Sequence, residues 1–436
     1  MVPAYRSGLH VASRSLAAAW RRDSPGGWDY TCSQLFSYHL AAATMDTPDD
    51  ICPRPKRFSP GPAQPHAAPI YLSSVYECRD PDQADALLSG SQVGYVYGRD
   101  GHPNADMLAE HCRRLHGTER ATVTSSGMGA LALVLLAVLE QGDHVVVSNQ
   151  LYGRSDTLLT AEAARLGIDS TRVDPCDLDA VRAAMTDRTK LVVVETISNP
   201  LLRVADLSAL ADLAHQGGAT LLADNTFAGP VVCRPADLGA DWVMESLTKS
   251  MNGHSDVVLG LVCGAELHWQ RVPAALASWG MTAAPFACWL ALRGLETLAV
   301  RMERACRNAH AAAEMLAGVR AIEAVHYPGL ESHPDHALAC RQFGDRFGAM
   351  VTFTLAGGRA AADAFIAAAR EIPFCPSLGE LATTLSHPES TSHRGLAPDQ
   401  RAALGITGGT IRLSVGIEST ETVLAALREG LAAVGA

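Results

Sequence analysis

Between residues 121 and 262 short apolar runs alternate with longer stretches of helical character. The runs cover residues 121–124, 144–147, 191–195, 221–223, 242–244 and 257–262, each of a length that suits a buried strand. Between them lie Ala- and Leu-rich segments such as 205–215, and the apolar run 130–139, which reads as a buried helix. This alternation predicts an α/β fold, a doubly wound and mostly parallel sheet with helices on both faces. After about residue 300 come an amphipathic helical stretch (302–317), a strand candidate (349–355), a helix (360–369) and a final strand (410–416). They predict a smaller C-terminal α/β domain.

Upstream the pattern is different. Residues 1–44 scatter Arg6, Arg14, Arg21 and Arg22 among serines, a composition shared with transit peptides; a flexible extension, or a true start at Met45, is the expectation. Residues 45–101 are Pro-rich and irregular, as suits an arm lying over another surface. The expected organisation is an extension (1–44), an arm contacting a neighbouring subunit (45–101), a cofactor-binding domain (102–300) and a C-terminal domain (301–436).

Composition narrows the function classes. With 436 residues, 48% hydrophobic and 19% charged, the chain can bury a large core, and its formal net charge of −11 disfavours nucleic acid or an anionic membrane as partner. The longest apolar run falls far short of the roughly 20 residues of a spanning helix. Eleven cysteines occur without a Cys-x-x-Cys pair or a Cys/His cluster, so no metal site and no disulfide framework is expected, and reduced thiols suit the cytoplasm.

Three segments carry chemistry. Ser125-Ser126-Gly127-Met128-Gly129 lies between a strand and the apolar helix, where backbone N–H groups stabilise a phosphate. It also fits the loose dinucleotide pattern G-x-G-x-x-A, so a nicotinamide oxidoreductase stays a competing reading; against it, the next strand ends at Ser148-Asn149, without an acid for a ribose. Asp224 closes the strand 221–223, at the end of a parallel sheet where ligands bind, and beside a pyridine nitrogen it would favour the protonated ring. Ser246-Leu247-Thr248-Lys249 follows the strand 242–244: two hydroxyls for a phosphate flank an amine that desolvation can turn into a nucleophile toward an aldehyde.

With these segments the chain resembles the cysteine/methionine-metabolism family of pyridoxal-phosphate (PLP) enzymes, which includes cystathionine γ-synthases, cystathionine lyases and methionine γ-lyase. The resemblance runs from about residue 68 to 431 and rests on YGRDGHPN from Tyr97, SSGMGA from Ser125, LYG from Leu151, ETISNP from Glu195, ADNTF from Ala223, SLTKSMNGHSDVVLG from Ser246, LRGLETL from Leu292 and RLSVGIE from Arg412. It implies the aminotransferase fold type I, with pyridoxal 5'-phosphate held by Lys249 as a Schiff base, Asp224 on the ring nitrogen and Tyr152 stacked on the ring. It implies that Ser126, Gly127, Met128, Ser246 and Thr248 bind the phosphate, and that Tyr97 and Arg99 reach it from a neighbouring subunit in a homotetramer. Arg412, with Asn199 and the backbone near Ser377, would clasp the α-carboxylate of a small amino-acid substrate. The activity implied is γ-elimination or γ-replacement on a sulfur-containing or O-acylated homoserine-type amino acid, with a β-lyase as the alternative.

Two positions depart from the family. Cystathionine-handling members tend to carry a glutamate where this chain has Pro376, and methionine γ-lyase has a cysteine where this chain has Arg154, a cation that could meet a distal anion of the substrate. His254, His387 and His393 are read as structural, and the HPDH run from His333 as an exposed turn.

Overall fold

The computed structural model describes residues 47–52 and 65–435. Asp46–Ala436 forms one compact unit; the extension expected at 1–44 lies outside the described residues. The strands of its larger sheet are β1 (Arg120–Thr124), β2 (His144–Ser148), β3 (Asp169–Val173), β4 (Thr189–Glu195), β5 (Thr220–Asp224), β6 (Trp242–Glu245) and β7 (Gly260–Gly264), in the order β1-β7-β6-β5-β4-β2-β3. The five strands from β6 to β3 run parallel, and β7 is antiparallel to both its neighbours.

The central strands are apolar at consecutive positions because both faces are covered. Val146, Val192, Val194 and Leu221 join one hydrophobic cluster, while Val145, Val147, Leu191 and Leu222, one residue out of phase, join the other. No helix of the described residues is long and apolar enough to cross a membrane.

A second sheet, β8 (Ile322–His326), β9 (Met350–Leu355), β10 (Thr384–Ser386) and β11 (Thr410–Ser414), is antiparallel in the order β10-β11-β9-β8. Val351, Phe353, Ile411 and Leu413 supply its own core with the flanking helices. The alternate residues are polar and buried. Thr352 donates to the Pro200 carbonyl at 2.6 Å, and Arg412 sits in register with Thr352 and Ser386. Side-chain alternation along β11 therefore sends one face to the core and offers Arg412 to the larger sheet.

The HPDH run corrects the sequence reading. His333 is buried rather than exposed, and Asp335 accepts from Arg203 Nε at 2.6 Å and from the Val204 N–H at 3.0 Å. The run fastens the C-terminal part of the chain to the segment after β4.

Candidate active site

The carboxyl ends of β4, β5 and β6, the start of the helix Gly127–Val138, β11 and the loops on either side of β10 line a cavity of about 470 Å³. Strand ends of a parallel sheet are where such crevices form.

Its anion end is built from two turns. Ser126 caps the helix, its Oγ accepting from the Gly129 N–H at 3.0 Å, which leaves the N–H groups of Gly127 and Met128 as uncapped donors of the first turn. A side chain at Gly127 would not fit: a Cβ there would stand 2.9 Å from Ser246 Cβ. Ser246 and Thr248 also line the cavity, and the Thr248 hydroxyl holds the Leu259 backbone, accepting from its N–H at 3.1 Å.

In the same cavity Asp224 ends β5. Its Oδ1 accepts from Thr226 Oγ1 at 2.5 Å and from the Thr226 N–H at 3.0 Å, and Thr226 Oγ1 also accepts from the Ser246 N–H at 3.0 Å. Burial pushes the Asp224 carboxyl above its ordinary range, the Thr226 bonds opposing the shift. Among the described residues no cationic side chain forms an ion pair with Asp224.

Lys249 projects into the same cavity. Its Nζ donates to Ser377 Oγ at 3.0 Å, and burial lowers its pKa from the ordinary 10.5, Glu380 opposing and Arg412 reinforcing the shift. Arg412 is buried, its Nη1 donating to Asn199 Oδ1 at 2.7 Å and its Nη2 to the Ser377 carbonyl at 3.1 Å. Its guanidinium carbon lies 5.7 Å from the centre of the Phe227 ring, and its Nε has no partner among the described residues. Burial brings this guanidinium down to about 10.

Sequence reasoning missed Glu195. It ends β4 in register with Asp224, its Oε1 accepting from the Tyr152 N–H at 2.7 Å and its Oε2 from the Asn199 N–H at 3.0 Å. Burial and then the neighbouring Asp224 push it well above the usual carboxylate range. Charge at the end of an apolar strand, the signal that singled out Asp224, was equally present at Glu195.

The cavity gathers Ser126, Gly127, Met128, Tyr152, Asn199, Asp224, Ser246, Thr248, Lys249, Ser377 and Arg412. Tyr97 and Arg99 do not line it; both are exposed, with Arg99 5.2 Å from the Tyr97 ring centre. Arg154 is exposed and outside the lining, so the cation expected from it at the substrate is absent there; Arg394 lines the cavity instead. His254 and His387 hold backbone carbonyls, of Asn252 at 2.6 Å and Gly408 at 2.8 Å, outside the cavity. His393 is buried beside the site, brought down to about 4 by burial and by Arg412.

In one cavity Asp224 calls for a cation, the free N–H groups of Gly127 and Met128 call for an anion, and Lys249 supplies an amine. Pyridoxal phosphate brings a protonatable ring nitrogen, a phosphate and an aldehyde, and the side chains present fit it. The fold and the cavity together define a pyridoxal-phosphate-dependent enzyme of the doubly wound α/β type. The comparison with known sequences carries this to a family: the model described as Cys/Met metabolism PLP-dependent enzyme matches residues 57–432, and the chain belongs to that family.

Among its relatives, the L-methionine gamma-lyase of Fusobacterium nucleatum subsp. polymorphum is 41% identical over 84% of this chain and 93% of its own length. The O-succinylhomoserine sulfhydrylase of Pseudomonas aeruginosa is 40% identical over 86% and 92%. The cystathionine gamma synthase of Xanthomonas oryzae pv. oryzae, solved in complex with cystathionine, superposes with a TM-score of 0.80 at 40% identity, covering 85% of this chain and 93% of that one.

Proposed function

We propose that the chain catalyses γ-elimination or γ-replacement on a sulfur-containing or O-acylated homoserine-type amino acid. One observation carries the reading: Ser377 touches both working groups, its hydroxyl on Lys249 Nζ and its carbonyl on Arg412 Nη2. An α-amino acid clasped at its carboxylate by Arg412 thus presents its α-carbon to the lysine amine. The names of the relatives, a γ-lyase, a γ-synthase and a sulfhydrylase, support the same class.

Bound pyridoxal phosphate supplies the aldehyde that carries the substrate amine and a ring that takes up electrons. Lys249 would hold the cofactor at its aldehyde carbon, and its amine, when free, would take the α-proton of the bound substrate. Burial lowers its pKa from the ordinary 10.5, which favours the free amine that a base requires. Asp224 would pair with the ring nitrogen, Ser126, Gly127, Met128, Ser246 and Thr248 would hold the phosphate, and Tyr152 would face the ring and help move protons between the α, β and γ positions.

Tyr97 and Arg99, outside their own chain's cavity, suit a role at a neighbouring subunit's phosphate, in a homotetramer built of dimers and acting in the cytoplasm. The test is a panel of methionine, cystathionine and O-acylated homoserines, with and without a thiol. 2-Oxobutanoate or a replacement product supports the reading; pyruvate from cystathionine as the sole product would move it to a β-lyase.

A further inference from the structure

The segment after β4 folds back on itself as a short loop. An antiparallel bridge between Ile197 and Val204 closes it, and the Ser198 N–H donates across it to the Arg203 carbonyl at 2.9 Å. The tip reaches the smaller sheet: Asn199 Oδ1 accepts from Arg412 Nη1 at 2.7 Å, and the Pro200 carbonyl accepts from Thr352 Oγ1 at 2.6 Å. Next to the tip, Leu202 is fully buried with φ +57°, a left-handed conformation that costs free energy in a residue with a bulky side chain. A loop strained in this way keeps its shape only while its surroundings hold it.

The hold is at the base of the loop. Asp335, just ahead of the helix His336–Phe343, accepts from Arg203 Nε at 2.6 Å on one carboxylate oxygen and from Arg203 Nη2 at 3.1 Å on the other. The first of these oxygens also accepts from the Val204 N–H at 3.0 Å. From the same helix Gln342 accepts from the Leu207 N–H at 2.9 Å and donates to the Ala205 carbonyl at 3.0 Å. The Asp335 side chain is only 11% exposed and that of Arg203 32%, so the pair is largely shielded from water, and the fork of two parallel bonds fixes its geometry. Neither residue lines the cavity.

Resting on the α-carboxylate role given to Arg412 above, we propose that Arg203 and Asp335 are positioning residues for that clasp. Their ion pair fixes the loop of Asn199, and Asn199 sets the direction in which Arg412 presents its guanidinium. Once the base is released the loop relaxes at Leu202 and Asn199 moves off Arg412. A shift of about 1 Å, made far from the chemistry, is enough to weaken such a contact severely. The groups assigned to the cofactor stand on the helix Gly127–Val138, at the end of β5 and in the turn after β6, and the pair touches none of them.

The experiment titrates holoenzyme of wild type, Asp335→Asn, Arg203→Met and Arg412→Gln with L-norleucine, an α-amino acid without a leaving group. A parallel titration uses pentylamine, the same amine without the carboxylate, and both are followed by the absorbance of the bound cofactor. The preference for norleucine over pentylamine measures the clasp, and Arg412→Gln abolishes it if the role of Arg412 holds. In Asp335→Asn and in Arg203→Met the preference is expected to fall roughly tenfold, the effect of losing a charge-assisted hydrogen bond. Pentylamine affinity and cofactor uptake stay at wild-type values. A preference unmoved in both variants overturns the positioning role and leaves that of Arg412 intact. Affinities for norleucine, pentylamine and cofactor that fall together make the pair a brace of the whole fold and overturn it as well. If one variant fails to take up cofactor the other decides, and failure of both counts against the proposal. Equal preferences in wild type and Arg412→Gln would sink the α-carboxylate role, and the positioning role with it.

Discussion

The carboxylate of Glu195 accepts the backbone N–H of Tyr152 at 2.7 Å, and through its other oxygen that of Asn199 at 3.0 Å. One buried acid thus ties the backbone of Tyr152, which lines the cavity, to that of Asn199, whose side chain holds Arg412. Glu195→Gln keeps the shape but replaces one acceptor with an NH₂ group facing an N–H. A loss of about 1–3 kcal/mol is expected, or roughly ten- to hundredfold in kcat/KM. Steady-state kinetics on holoenzyme, with cofactor content measured alongside, checks this; a variant of wild-type kcat/KM would show that the two backbone contacts need no carboxylate.

Gly379 holds the segment of Ser377 against the segment of Lys249. Its φ is +82°, and a Cβ there would stand 2.3 Å from the Ser250 backbone nitrogen. Gly379→Ala meets both left-handed strain and a collision with main chain. A loss of about 1–3 kcal/mol in stability from the strain alone is expected, together with a lower kcat as Ser377 is pushed from Lys249. Denaturant unfolding and kinetics measure the two effects separately.

Behind the sheet, His116 Nε2 lies 3.3 Å from Glu245 Oε1, both side chains fully buried, and Glu245 Oε1 also accepts from Asn225 Nδ2 at 2.8 Å. Burial holds His116 down at about 3 and pushes Glu245 well above the carboxylate range, which favours the uncharged form of both. An amide can then replace the acid. Glu245→Gln should stay within about 1 kcal/mol of wild type, whereas Glu245→Leu, which strands the partners, should cost about 1–3 kcal/mol. A large loss in the Gln variant, read by urea unfolding, would mean that the acid is ionised.

The lowered pKa of Lys249 has a pH consequence in apoprotein. Its folded value lies below the unfolded 10.5, so the unfolded chain binds more protons between the two values and stability rises with pH across that window. Below the window the buried charge costs stability in full. Lys249→Met apoprotein should be the more stable of the two at neutral pH, and the difference should narrow toward pH 10.5. Uptake of pyridoxal phosphate by wild-type apoprotein should accelerate with pH and level off below 10.5. A plateau reached only above that value contradicts the desolvated amine.

The central strands were legible because they are buried on both faces and read as continuous apolar runs. β3, with the sequence DSTRV at the sheet edge, β8 with its mixed pattern and the three-residue β10 lack that signal and went unread. β7 was displaced: the run 257–262 begins earlier than the strand Gly260–Gly264, because Val257 and Leu259 are buried ahead of the pairing. Ser126, Gly127, Asp224, Ser246 and Lys249, which line the cavity, were legible as local motifs, each a strand end followed by a turn. Phe227 beneath Arg412, and Arg394 at the loop after β10, owe their places to contacts between segments far apart in sequence, which no local pattern records. Arg154 was read from a family position two residues after Tyr152, yet in the helix that starts at Gly153 it stands outside the lining.

The proposed chemistry requires Lys249 to be the residue that carries the cofactor. Borohydride reduction of holoenzyme, digestion and mass spectrometry of the peptides test this directly. A reduced pyridoxyl adduct on the peptide containing Lys249, absent from Lys249→Ala, is the predicted result; an adduct on another lysine, or none on protein that is otherwise active, contradicts it.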